Sequence, residues 1–374
     1  MNPHTKQAPT PKFGGEGQAY TSFSSAKGAS ACYDVGVKEA YLYEKLPDDK
    51  VQCKNCAHYC LISENQKGIC QVRKNIKGRL FALNYEKLIA CNVDPIEKKP
   101  LFHFLPGSSS LSIATVGCNF RCLNCQNYNI SQFSKTKDEV PGEKIEPEKI
   151  VKLALENNTP SISYTYTEPV IFLEYALDTM KIAKKQGIKN VWVSNGFLSK
   201  ESLELIFPYL DAVNIDLKGF SEDFYRKNCG GKLQPVLDNL IRIKNKKIWL
   251  EITTLVIPEL SDKLEMFEKI AKFIKKELGE ETPWHLTQFY SAISWKLKKL
   301  PDTPVEILKK AWQIGKSAGL KYVYNGNVQG LESENTFCPK CNALMIKRTG
   351  YDIQRFDKKG KCAKCKENLN LILN

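Results

Sequence analysis

A chain of 374 residues with 42% apolar and 26% charged residues can bury a barrel-sized core and has the composition of an ordinary soluble protein. No apolar run approaches the length of a membrane span and no signal-peptide core opens the sequence, so the expected setting is the cytoplasm, with no membrane attachment. The net charge of +14 rests on 48 Lys against 7 Arg, which argues against nucleic-acid readout and for a solvated lysine surface able to steer an acidic protein partner.

Residues 1–35 are rich in Gly, Pro, Ser and Thr and poor in aliphatics, which predicts a mobile tail. A cysteine-rich lobe is expected over 36–107. It contains Cys53, Cys56, Cys60 and Cys70, four thiols that would satisfy either a tetrahedral zinc or a closed iron–sulfur cluster. His58 is a possible substitute ligand there. Asp94–Gly107, bracketed by prolines, reads as a rigid loop leading into the next domain.

From 108 to 330 strands and helices alternate. Strands are expected near 111–116, 161–166, 190–195, 212–217, 248–256, 284–290 and 321–324. Amphipathic helices are expected at 147–157, 169–186, 200–209, 261–278 and 305–318. Repeated βα units imply a parallel sheet whose ligand groups gather at the strands' C-terminal ends. Cys118, Cys122 and Cys125 leave the first of these strands, and Glu168, Asn195, Asp216 and Lys218 sit at the ends of the next three. Asp216 and Lys218 share a strand face, where charge is tolerated only if paired with each other or with a ligand. Glu251, His285, Thr287 and Gln288 are further pocket candidates. Over 331–374, Cys338-x2-Cys341 and Cys362-x2-Cys365 form two knuckles spaced to close around one ion, as in a zinc ribbon, with a rubredoxin-like iron as the rival.

Eleven of the fourteen cysteines thus fall in three clusters; Cys32, Cys91 and Cys229 read as small buried hydrophobes. Three thiolates on the 118–125 loop would leave one iron of a four-iron cluster open to an exchangeable ligand. A zinc with a histidine as fourth ligand is the alternative, but no histidine follows nearby.

The Cys118-x3-Cys122-x2-Cys125 spacing resembles the signature of the radical S-adenosylmethionine (SAM) superfamily. The resemblance implies an α/β fold of the TIM-type (β/α) barrel kind, partial rather than complete, and a [4Fe-4S] cluster whose open iron holds SAM. That superfamily usually carries an aromatic residue beside adenine at the position of Asn124. Tyr166-Thr167-Glu168-Pro169 resembles its strand-two motif, usually Gly-Gly-Glu-Pro, whose backbone meets the methionine ammonium. The implied chemistry is reductive cleavage of SAM to a 5′-deoxyadenosyl radical that abstracts hydrogen from a substrate.

More narrowly, Cys53–Arg73, Asp94–Gly107, Gly117–Gln132, Thr165–Pro169, Tyr322–Asn327 and the terminal knuckles resemble the AmmeMemoRadiSam-system radical SAM enzymes, relatives of pyruvate formate-lyase activating enzymes. This implies Memo-type and AMMECR-type partner proteins and a low-potential electron donor of flavodoxin or ferredoxin type. A glycyl-radical activase is the alternative function.

Overall fold

The structure, a computed structural model, describes residues 37–328 and 330–373; the expected tail, 1–35, lies outside the described residues. Seven parallel strands lie side by side in chain order: β1 (Ser109–Thr115), β2 (Ser161–Tyr164), β3 (Lys189–Ser194), β4 (Ala212–Asp216), β5 (Trp249–Val256), β6 (Trp284–Gln288) and β7 (Val323–Gly326). Lys87–Pro95 pairs antiparallel with β1, Leu88 opposite Thr115 and Pro95 opposite Ser109, and carries the short Glu143–Lys144 on its far side. No ladder among the described residues joins that edge to β7, so the sheet is an open, partial barrel.

Alternation along the strands sorts residues between two environments. Leu111, Ile113, Ile162, Trp192, Ile215, Ile252 and Leu286 pack against the surrounding helices in the main core. The intervening Ser110, Ser112, Ser161, Ser163, Asn214, Glu251, Thr253 and His285 are buried on the other face, giving the lumen a polar lining. Helices α1 (Pro147–Glu156), α2 (Leu173–Lys185), α3 (Lys200–Ile206), α4 (Gln234–Asn245), α5 (Leu264–Phe273) and α6 (Val305–Ser317) flank the sheet. Three run shorter than their apolar periodicity suggests. Pro169–Phe172 winds as a 3-10 turn before α2, Phe207–Tyr209 does so after α3 where Pro208 lacks a donor, and Ile274–Leu278 widens into a π turn after α5.

Asp94–Gly107 is more than a lead-in. Its first residues end the antiparallel strand, and the rest enters the lumen from the strands' N-terminal ends. There Ile96, Leu101, Phe104 and Leu105 pack against Val191, Ala212 and Trp249. Glu251 pins this plug: its carboxylate accepts Phe102 N–H at 2.9 Å, His103 N–H at 2.8 Å, Trp249 Nε1–H at 3.0 Å and His285 Nε2–H at 2.7 Å. Glu251 and His285 therefore seal the floor rather than line a ligand pocket, which corrects the expectation from their strand positions.

The C-terminal module closes the same floor from outside. Ile372 N–H donates to the His103 carbonyl and Leu105 N–H to the Ile372 carbonyl, both at 2.8 Å. Buried Arg348 donates to the Phe102 carbonyl at 3.0 Å and lies 4.0 Å over the Phe102 ring. The N-terminal lobe docks at the opposite end. Ala57 N–H donates to the Phe197 carbonyl and Ser199 N–H to the Asn55 carbonyl, both at 3.2 Å, on the loop that follows β3. A fully buried Arg73–Glu174 pair fixes the lobe to α2 through two parallel hydrogen bonds.

Candidate active site

Beyond β1 the chain turns at Gly117, whose φ of +106° and whose place against Val72 and the Cys70 carbonyl exclude a side chain: a Cβ would lie 2.9 Å from Val72 Cγ1. This turn delivers Cys118, Cys122 and Cys125 to the C-terminal end of the sheet, Cys122 buried and the other two half-buried. The loop is held on both sides. Arg121 N–H donates to the Cys229 carbonyl at 2.8 Å and Leu123 N–H to the Asn228 carbonyl at 2.9 Å. Opposite, the Cys125 carbonyl accepts Trp295 N–H at 3.1 Å and the Leu123 carbonyl accepts Lys296 N–H at 2.9 Å. Gly231 permits the first contact, because a Cβ there would meet Phe120 Cε1 at 2.3 Å.

The free thiols are neutral. Burial pushes the Cys118 and Cys125 thiols up, and the neighbouring Cys229 does the same to Cys122. Metal binding must therefore displace protons, and polar groups wait for the thiolates: Phe120 N–H points at Cys118 Sγ at 3.4 Å, and Ser131 Oγ lies 3.2 Å from Cys125 Sγ. The three sulfurs do not have single-ion spacing. Among the described residues, only Cys338, Cys341, Cys362 and Cys365 form a set of three or more potential ligands with donor atoms all within 4.8 Å of one another. A tetrahedral zinc needs sulfurs about 3.8 Å apart, whereas a four-iron cubane holds them roughly 6 Å apart because the irons themselves occupy its corners. The three thiols are not gathered at single-ion spacing, and the motif supplies no fourth protein ligand.

The residues picked from the other strands gather on this rim. Asp216 and Lys218 pair at 2.8 Å. Burial works against the Lys218 charge, but Asp216 holds its pKa well up. The Glu168 carboxylate accepts Asn195 N–H and Ser194 Oγ–H at 2.8 Å and Val170 N–H at 3.3 Å, so it fixes the end of β3 as well as starting the next helix. Burial still raises its pKa to about 7. Asn195 Nδ2 reaches the Asn119 side-chain oxygen at 2.7 Å, tying β3 to the cysteine loop. Asn124 gives its oxygen to Asn228 Nδ2 at 2.9 Å.

Tyr166 and Thr167 present main chain to the site. Tyr166 has φ +61°, a left-handed conformation that costs an aromatic residue about 1–2 kcal/mol. Its anchors explain how it is kept. The phenol donates to Asp94, Lys99 Nζ lies 4.6 Å from the ring centre, and Asn127 Nδ2 donates to the Tyr166 carbonyl at 2.9 Å. Thr167 Oγ1 donates to the Thr115 carbonyl at 2.9 Å. Burial works against the Asp94 charge, yet Lys99 at 2.6 Å holds its pKa at about 2; burial lowers buried Lys99 to about 8.

Several contributors carry no sequence signal of their own. Trp295 stacks at 6.4 Å and 14° on Tyr128, and its backbone N–H donates to the Cys125 carbonyl. Cys229 is buried as expected of a small hydrophobe, but lies against Cys122. Lys135 donates to the Phe120 carbonyl at 2.6 Å, and burial lowers its pKa. An alignment of strand ends finds none of these, because they lie on connecting loops and helices.

Thiols on the first βα loop, polar residues at the ends of the next strands and a sealed floor define a metal-dependent enzyme working at the open end of a β/α barrel. Residues 112–274 match the Radical SAM superfamily, so the chain carries a radical SAM domain. A protein of Methanocaldococcus jannaschii described as uncharacterized is 45% identical over 340 residues, covering 90% of this chain and 100% of that one. The pyruvate formate-lyase-activating enzyme of Clostridium pasteurianum is 25% identical over 173 residues, covering 45% of this chain and 72% of that enzyme. Among solved structures, a domain of a pyruvate-formate lyase-activating enzyme from Bacteroides vulgatus aligns at 19% identity and TM-score 0.39, covering 44% of this chain and 98% of that domain.

Proposed function

We propose that Cys118, Cys122 and Cys125 hold the [4Fe-4S] cluster and that the open iron above them takes the amino and carboxylate groups of SAM. When bound, the pair supplies reductive cleavage of SAM to a 5′-deoxyadenosyl radical that removes hydrogen from substrate. The chain's own residues bind and shield. The main chain of Tyr166, Thr167 and Glu168 meets the ammonium, and the Asp216–Lys218 pair offers both signs of charge to a zwitterion. Asn195 holds the cysteine loop to β3, and the Tyr128–Trp295 face receives adenine in place of residue 124. The plug at 96–107 keeps water from entering through the floor. The observation that carries this reading is the meeting of three thiols on the loop after β1 with those polar groups at the strand ends.

The test is anaerobic reconstitution with iron and sulfide, then dithionite and SAM. The expected product is 5′-deoxyadenosine, abolished by Cys118→Ala, Cys122→Ala or Cys125→Ala. Undiminished product from these variants refutes the assignment.

The substrate reading follows the relatives. Similarity to the Clostridium enzyme supports a hydrogen abstraction from a partner protein's glycine, fed by a flavodoxin- or ferredoxin-type donor. The motif resemblance instead supports a multi-protein system with Memo-type and AMMECR-type components. Anaerobic incubation with each partner separates these: a glycyl doublet in electron paramagnetic resonance selects the activase. At the C-terminus, Cys338–Cys365 and Cys341–Cys362 sulfur distances of 3.5 and 3.6 Å support a structural zinc.

A further inference from the structure

We propose that Cys53, Cys56, Cys60 and Cys70 hold a second [4Fe-4S] cluster, with all four irons ligated by the chain, against the loop that carries Cys118. The four cysteines surround a small cavity, walled also by Arg73 and Asn119. Three of them are buried and Cys60 is half-buried. No three of these sulfurs share the sub-4.8 Å spacing found at the C-terminal knuckles. A single zinc would have to draw them in to about 3.8 Å apart, whereas a cubane, whose irons stand between the thiolates, takes a wider set.

A buried donor points the same way. Arg73 is 1% exposed and spends two of its nitrogens on Glu174, yet its Nε has no hydrogen-bond partner. Arg73 lines the cavity. A buried, unmatched N–H costs about 1–3 kcal/mol, and a sulfide or thiolate of a negatively charged cluster is the acceptor that would satisfy it.

The cavity shares a wall with the first site. Asn119, next to Cys118, lines it, and the Asn119 carbonyl accepts His58 Nε2–H at 2.9 Å. Gly117 abuts the Cys70 carbonyl, with 3.2 Å between that oxygen and the position of a Cβ. A cluster with four protein thiolates has no open iron, so it can exchange electrons but cannot bind SAM.

The experiment reconstitutes the full chain anaerobically with iron and sulfide. Wild type should take up about eight irons in clusters, and the combined Cys118→Ala, Cys122→Ala, Cys125→Ala variant about four. After dithionite reduction that variant should show a cluster signal in electron paramagnetic resonance that SAM leaves unchanged. Combined Cys53→Ser and Cys70→Ser in the wild-type background should also retain about four, with a SAM-sensitive signal. Should this second variant fail to fold, the first still decides, because its N-terminal lobe is untouched. A first variant that holds no cluster, or that holds a zinc beyond the C-terminal one, overturns the proposal. If instead wild type holds only about four irons and the first variant loses none, the failure belongs to the Cys118 assignment and this one stands.

Discussion

Replacing Glu251 with Ala should unseat the barrel floor. The carboxylate is fully buried and is the acceptor for two backbone donors of the plug, Phe102 N–H and His103 N–H, as well as for Trp249 and His285. Orphaning a buried donor costs about 1–3 kcal/mol, so the two backbone groups alone set an expected loss of about 2–6 kcal/mol. Glu251→Gln keeps one acceptor oxygen and should lose roughly half as much. Urea unfolding followed by Trp fluorescence measures both, and Trp249 reports from the site itself. A loss below about 1 kcal/mol for Glu251→Ala would refute the claim that this carboxylate holds the plug.

The same residue sets an acid dependence. Burial opposes the Glu251 charge, but His285, His103 and Trp249 hold its pKa at about 2, against an ordinary 4.5. A carboxyl depressed by folding contributes stability that is complete above its unfolded pKa and is lost as pH falls from about 4.5 to 2, here up to about 3 kcal/mol. Burial also lowers His103 to about 4 from an ordinary 6.5, so further stability is lost between those values on acidification. Stability should therefore fall steadily below pH 6.5, and in Glu251→Ala the segment below about 4.5 should flatten.

Other expectations concern the two ends of the barrel. Gly231→Ala should drive a methyl into Phe120, displacing the cysteine loop; 5′-deoxyadenosine yield should fall at least about tenfold while the unfolding midpoint moves little. Cys362→Ser should release the C-terminal metal, one equivalent by mass spectrometry, and expose residues 336–373 to limited proteolysis. Tyr166→Phe removes the hydrogen bond to Asp94 that helps hold a left-handed backbone. SAM binding by calorimetry should weaken several-fold with the fold intact.

The parallel strands were readable because they are short runs largely alternating with amphipathic helices, and their expected bounds fall within about three residues of the observed ones. The edge strand Lys87–Pro95 was not, since its exposure pattern has no regular alternation: one side pairs with β1 and the other with two residues only. The rim residues Glu168, Asn195, Asp216 and Lys218 were legible as polar groups ending apolar strands. Glu251 and His285 satisfy the same pattern but sit near the beginning of their strands, where a polar residue meets the floor and not the site. Which strand end a polar residue occupies decides its role, and that depends on boundaries that sequence places least well. Arg348 and Arg73 were invisible for a different reason: their partners lie 246 and 101 residues away.

The two four-cysteine sites sharpen this point, because they have the same ligand set and differ in their cages. At the C-terminus each knuckle is a tight turn, Cys338–Cys341 and Cys362–Cys365, and the facing turns bring opposite sulfurs to 3.5 and 3.6 Å. In the N-terminal lobe Cys53 ends a strand and is buried with that strand's Val51 in a small core with Ala40, Ile62 and Leu80. Cys56 is fixed by its bridge to Leu198, outside the lobe. Cys70 is held by the turn through Gly68, whose nitrogen donates to the Arg73 carbonyl at 2.9 Å. Each sulfur is thus tied to a different piece of framework, and closing them onto one ion would require breaking a strand pairing, an interdomain bridge or the turn. That frame is the basis for proposing the larger inorganic core there, a choice that counting cysteines and the residues between them leaves open.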